Sequence, residues 1–125
     1  MAFTKTHTST TNIGSVAAST WGGTGWFEPM DASTCVLKLA SGSTAPTTIN
    51  VRLLATNTAS GNPPTSDIFE VARFVVTPAA ANQSTDFPVT MARGAYGDHR
   101  RYAIEAQPIG QAITLSYILS RSELV

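Results

Sequence analysis

The apolar positions of this chain recur at every second residue far more often than at every third or fourth, and that period predicts strands. Residues 101–120, RYAIEAQPIGQAITLSYILS, are the clearest case, because the alternation divides them into two runs. In the first run Tyr102, Ile104 and Ala106 share a face opposite Arg101, Ala103 and Glu105. In the second, Ile113, Leu115, Tyr117 and Leu119 oppose Thr114, Ser116 and Ser120, and only Ile118 breaks the pattern. Between the runs, Gln107-Pro108-Ile109-Gly110 suits a type I turn, since proline pre-sets φ at the second position and glycine fits the fourth. The expectation is a β-hairpin, which needs further strands against its apolar face because a lone hairpin is marginal in water.

The same alternation marks strands upstream. Residues 34–40 place Cys35, Leu37 and Leu39 opposite Val36 and Lys38, and residues 47–56 turn Ile49, Val51, Leu53 and Ala55 one way. Residues 57–66, NTASGNPPTS, read as an exposed loop, because Gly61 and the Pro63-Pro64 pair preclude a regular element. Residues 67–77, DIFEVARFVVT, carry two signals: Asp67 and Glu70 could box a helix N-terminus, while Val71, Phe74, Val75 and Val76 favour a strand. The reading adopted is a strand with room for a helical turn at its start. Residues 85–91 form a strand with Phe87, Val89 and Met91 inward, and Pro88 assigns it to a sheet edge, since proline cannot donate to a ladder. Six strands are counted in this way, or eight if the N-terminal stretch adds two. Such a set, with turns about every ten residues, predicts an all-β antiparallel sandwich of jelly-roll or Greek-key type.

Residues 1–33 show no sustained apolar period, so the expected division is an extended N-terminal arm over 1–33 followed by a sandwich domain over 34–125. Trp21, Trp26 and Phe27 near the end of that arm have two readings. They are anchors for a neighbouring molecule, each burying a large area at small entropic cost, or they cap this domain's own core.

Composition narrows the function classes. Of 125 residues only 13% are charged, eight basic against eight acidic, so no field draws in nucleic acid or an anionic membrane. Polarity comes instead from 30 Ser and Thr residues, which favour extended structure and dense surface hydrogen bonding. Cys35 is the single cysteine, which rules out an intrachain disulfide and reads as a small core residue. No apolar run approaches membrane-spanning length, and MAFTKTHTSTTN lacks the apolar centre of a signal peptide, so the expected compartment is a cytosol.

Candidate chemistry is sparse. His99 beside Asp98 could be half of a catalytic or metal site, but no third group is spaced to join them. Glu70, Asp86 and Glu105 could supply an acid/base pair, yet each falls in a separate strand with nothing else to mark a cleft. The segment Trp21-Gly22-Gly23-Thr24-Gly25 has neither a following helix nor a lysine, so it is no phosphate loop. No enzyme activity and no cofactor or metal is expected. Arg93, Arg100 and Arg101, with Tyr96 among them, are the one basic concentration. The zero net charge favours reading them as interface groups that pair with carboxylates rather than with a nucleic acid backbone. The candidate interface is therefore Trp21, Trp26, Phe27, Arg93, Tyr96, Arg100 and Arg101.

The order of pieces TINVRLLATN, a Gly/Pro loop, a strand ending VVTPAA, then DFPVTMARGAYGDHRRYAIEAQPIGQAITLSYIL resembles the small jelly-roll cement, or decoration, proteins of tailed bacteriophage capsids. The likeness spans roughly residues 47–120 and includes a proline-bearing edge strand and Arg101-Tyr102 at the opening of the penultimate strand. The resemblance implies a virion component on the capsid exterior. Its partner would be the major capsid protein, bound between capsomers, and capsid geometry would make it a homo-oligomer, a trimer at three-fold positions. Two other readings are a carbohydrate-binding module with Trp21, Trp26 and Tyr96 as its stacking platform, and a tail or head-fibre subunit.

Overall fold

The computed structural model describes residues 4–92, 94–97 and 99–124. Eight strands follow in order: β1 Thr4–Val16, β2 Gly22–Gly23, β3 Ala32–Ser41, β4 Thr48–Thr56, β5 Phe69–Val76, β6 Ser84–Ala92, β7 Arg101–Ile109 and β8 Ile113–Leu124. They form two four-stranded antiparallel sheets, ordered β1-β8-β3-β6 and β2-β7-β4-β5. Eight strands shared between two facing sheets in this order make a jelly roll.

The alternation read from the sequence is the burial pattern observed. Cys35, Leu37 and Leu39 of β3, and Ile49, Val51, Leu53 and Ala55 of β4, have no solvent exposure. Ile104 and Ala106 of β7 and Leu115 of β8 are equally enclosed, and Val89, Met91, Tyr102, Ile113, Tyr117 and Leu119 complete the layer between the sheets. Ile118, the one apolar residue out of phase, is 45% exposed on the opposite face. β6 is an edge strand, as Pro88 required.

Two expectations are corrected. The first concerns residues 101–120, which are not a hairpin: β7 pairs with β4 and β2, while β8 pairs with β1 and β3 in the other sheet. Pro108 lies within β7, opposite Ile49, and the chain reverses at residues 110–112, where Gly110 takes φ +93°. Alternation reports which face of a strand is buried. Two strands facing each other across a sandwich present the same alternation as two strands side by side, so the pattern could not separate these cases. Only the β4–β5 connection joins neighbours within one sheet; every other connection between consecutive strands crosses from one sheet to the other.

The second correction concerns the N-terminal arm. Residues 4–16 are strand β1, paired along their length with β8, so a division at residue 33 does not exist in the fold. Polar threonines and serines fill β1 because it is the sheet's outermost strand. Its ladder is satisfied on one side by β8, and an edge strand needs few apolar contacts. The pairing slips between Asn12 and Gly14, where Gly14 adopts φ +94° and Ile13 becomes the extra, bulged residue. The helical turn allowed before β5 is a single 3-10 turn, Thr65–Asp67.

Leu115→Ala is expected to lower the unfolding free energy by about 2–5 kcal/mol, the cost of a cavity in an enclosed layer. Ile118→Ala, on the outside, should change it by less than about 0.5 kcal/mol. Urea unfolding of the two variants measures the contrast, and similar losses for both would mean that the two faces of β8 are assigned wrongly.

Candidate interaction surfaces

One end of the sandwich gathers the connections of residues 24–31, 57–68, 94–97 and 99–100. Arg101, at the start of β7, donates from Nε to the carbonyl of Thr58 at 2.8 Å and from Nη2 to that of Gly61 at 2.8 Å. It is only 9% exposed, and its guanidinium lies 5.9 Å from the centre of the Trp26 ring. The loop that Gly61 and the prolines keep irregular is thereby clamped to the sheet. Asp67 secures the loop's other side, accepting hydrogen bonds from the hydroxyls of Thr58 and Thr56 and from the Asn57 amide. The Thr58 hydroxyl is the main reason its carboxyl sits below the usual carboxylate range; partial burial opposes the shift, and the Asn57 and Thr56 donors add to it. His99 fills the corner, with Nδ1 3.2 Å from the Asn57 side-chain oxygen, its ring stacked on Phe69 and edge-on to Tyr102.

Of the seven candidate interface residues, Trp26, Phe27, Tyr96, Arg100 and Arg101 collect at this end, and two of them are engaged within their own chain. Phe27 is buried in the core, with its backbone bonded in both directions to Tyr102 at 2.9 Å. Arg101 is committed to its own chain's carbonyls, because those loop groups would otherwise lose their partners. Tyr96 is half-buried against the core, Arg100 is exposed, and Arg93, like Asp98, lies outside the described residues.

Trp21 is elsewhere, on the outer face of the second sheet. A side chain at Gly23 would strike the carbonyl oxygen of Ile104 and the Cα of Glu105, so glycine is what lets β2 lie against β7 and carries Trp21 over the sheet. There the guanidinium of Arg52 stacks 3.9 Å from the Trp21 ring centre, with that of Arg73 at 5.4 Å. Arg52 is paired with Glu105 at 2.6 Å and Arg73 with Glu70 at 2.7 Å, so each of the two arginines, which lie opposite one another on β4 and β5, has its own carboxylate. Glu70 and Glu105 are thus ion-pair partners on this face, while Asp86 belongs to β6 in the other sheet. No shared carboxylate site forms among the three. Arg52 and Thr56, which neighbours Arg101, are four residues apart on β4, roughly 13 Å at a strand's rise, so Trp21 and Trp26 do not make one stacking platform.

The surface that sequence reasoning missed is the outer face of the first sheet. Three rows cross all four strands: Thr8, Ser120, Thr34 and Thr90; then Thr10, Ile118, Val36 and Pro88; then Asn12, Ser116, Lys38 and Asp86. The middle row is apolar over three of its four strands and is bordered by hydroxyls on one side and by a Lys-Asp neighbour pair on the other. A shallow depression runs along it, bounded by Thr10, Val36, Ile118, Ser116, Lys38 and Asp86. The available signal was Ile118, the one break in the alternation of β8.

Among the described residues, no cluster of three His, Cys, Asp or Glu side chains is placed to hold a metal ion. Cys35 is enclosed in the core, and burial pushes its thiol up to about 12.

No protein-family model and no curated protein matches this chain. Solved structures with a similar fold include an endospore appendage of Bacillus, described as a novel family of disulfide-linked pili, at 14% identity. The match covers 99% of this chain and 88% of that one, with a TM-score of 0.46. A second is the K1 cleaved adhesin domain of Lys-gingipain from Porphyromonas gingivalis W83, at 10% identity over 100% and 98% of the two chains, with a TM-score of 0.48. A third is the top component of cowpea mosaic virus, naturally occurring empty particles, at 12% identity over 87% of this chain and a TM-score of 0.45; this chain spans 59% of that one. Likenesses this distant assign no function.

Two outcomes test the geometry. Because the folded-state value of Asp67 is depressed, its contribution to stability is present above its ordinary value of 3.8 and is lost as the pH falls through the lower folded value. Asp67→Asn should therefore flatten the acid limb of a stability-against-pH curve; an unchanged limb would remove Asp67 from the loop's anchorage. For Cys35 the folded value is raised, so its contribution is full below 9.0 and declines as the pH rises towards about 12. At neutral pH a thiol reagent should label Cys35 only as fast as the chain unfolds, and rapid labelling of the native protein would contradict its burial.

Proposed function

We propose that this protein is a non-enzymatic structural subunit of a virion, a cement or decoration protein that binds the outside of the assembled head between capsomers. The outer face of the first sheet carries the proposal. An apolar row of Ile118, Val36 and Pro88 bordered by short hydroxyls has the anatomy of a protein contact, with an apolar centre and a polar rim. Its partner in this reading is the major capsid protein. The sequence resemblance to phage decoration proteins and the jelly-roll order of the strands support the same reading. The rest of the molecule is suited to a rigid spacer, with an enclosed core, an end loop clamped by Arg101 and Asp67, and charges on the second sheet that pair with one another.

The mechanism follows from geometry. A site composed from two neighbouring capsomers exists only after assembly, so a subunit that bridges them stabilises the assembled state by its differential affinity for that state. Neither a catalytic group nor a net charge is required.

Shells of the cognate virus prepared without this protein provide the test. Adding it should raise their resistance to heat, while unassembled shell protein stays unbound. Ile118→Arg should weaken that binding by about tenfold or more, since the substitution places a charge at the centre of the contact, and should leave the unfolding curve unchanged. Shells equally heat-resistant with and without the protein would reject the clamp. Full binding by Ile118→Arg would move the contact to another surface, Arg100 and Trp21 being the next to substitute.

A further inference from the structure

Four strands of this sandwich lie at sheet edges, and three of them are protected against further pairing. β2 is two residues long. β6 carries Pro88, which has no N–H to donate. β5 has eight residues, bears the Glu70–Arg73 ion pair, and is bulged at Val71, which has no partner between Leu53 and Leu54 of β4. Short strands, proline, charge and bulges are the devices by which natural sheets blunt their edges.

β1 is the exception. It has 13 residues and no proline, and among the described residues it is hydrogen-bonded to β8 alone. Its bulge at Ile13 lies near one end, leaving Thr4–Asn12 as a regular, unpaired edge about 30 Å long. We propose that this edge pairs antiparallel with the same edge of a second copy of this chain, joining two first sheets into one eight-stranded sheet across a two-fold axis.

Three observations favour a second copy over a different partner. The described side chains from Thr8 to Val16 include no charge, so identical segments meet there without repulsion. In a register centred on Thr8, Lys5 pairs with Thr11 and His7 with Ser9, so the sequence places no two basic residues opposite one another. The contact between Thr8 and Ser120, with hydroxyl oxygens 3.4 Å apart across β1 and β8, shows how a Thr–Thr pair would continue the hydroxyl row over the seam. A two-fold axis normal to the sheet keeps both outer faces on the same side. The apolar row of one copy therefore continues into the next, and the pair presents two contact faces to a shell at once. This last consequence rests on the proposed function; the pairing itself does not.

The experiment uses the intact chain without shells, by sedimentation velocity and native mass spectrometry over a range of concentrations. A monomer–dimer equilibrium is expected, with amide exchange slowed in residues 4–12 as the dimer fills. The double variants Thr8→Lys with Thr10→Lys, and Thr8→Glu with Thr10→Glu, change exposed residues and should keep the unfolding curve of the parent. Each should weaken association by about tenfold or more through like charges across the seam, and an equimolar mixture of the two should recover the dimer. A parent chain that stays monomeric at every concentration would overturn the proposal. So would a trimer in solution, or a dimer indifferent to the lysine variant. A dimer that ignores shells would leave the pairing standing and remove only the proposed function.

Discussion

Each sheet of this molecule has one apolar face, and a strand that alternates every two residues can bury that face only against a second sheet about 10 Å away. The chain meets the demand by passing from one sheet to the other at nearly every connection, so residues close in sequence come to lie on opposite walls of one core. Leu115 of β8 and Ile104 of β7 are both fully enclosed although they hydrogen-bond to different neighbours. Gly110, with φ +93°, moves the chain from one wall to the other within residues 110–112.

Polar closure is the second condition, and it is concentrated where the chain is least regular. The 57–66 loop has no strand partners, so its carbonyls and hydroxyls are answered by side chains: Arg101 takes two carbonyls, and Asp67 takes two hydroxyls and an amide. A charged group with several partners at the sandwich end is worth more here as an internal clamp than as a surface contact. Losing it would return those carbonyls to water and unfasten the loop from β7. The second sheet treats its charges the same way, sandwiching Trp21 against two arginines that are each held by a glutamate.

What remains open on the outer face of the first sheet is uncharged across the three rows apart from Lys38 beside Asp86. It is a broad face of hydroxyls around an apolar row, and on its border a long strand with one unpaired side. Both features arise from the same composition, in which serine and threonine supply polarity without charge. Short hydroxyl side chains leave a sheet flat enough, and an edge bare enough, for strands and faces to meet closely.

The sequence by itself determined the faces. Period two set which residues of each strand would be enclosed, Pro88 placed β6 at an edge, Gly61 and the Pro63-Pro64 pair marked the loop, and Ile118 stood out of phase because it belongs outside. Those properties depend on neighbouring residues in the chain, so they can be read along it. The pairing of strands could not be read in this way. Whether β7 and β8 lie side by side or face each other, and whether the threonine-rich N-terminus hangs free or forms β1, depends on contacts between residues distant in sequence. The same holds for Arg101, whose surroundings in the sequence suit a surface cation and whose partners at Thr58 and Gly61 lie some forty residues away. Alternation is identical for both arrangements of a strand pair, and only the closing of the two sheets on one core distinguishes them.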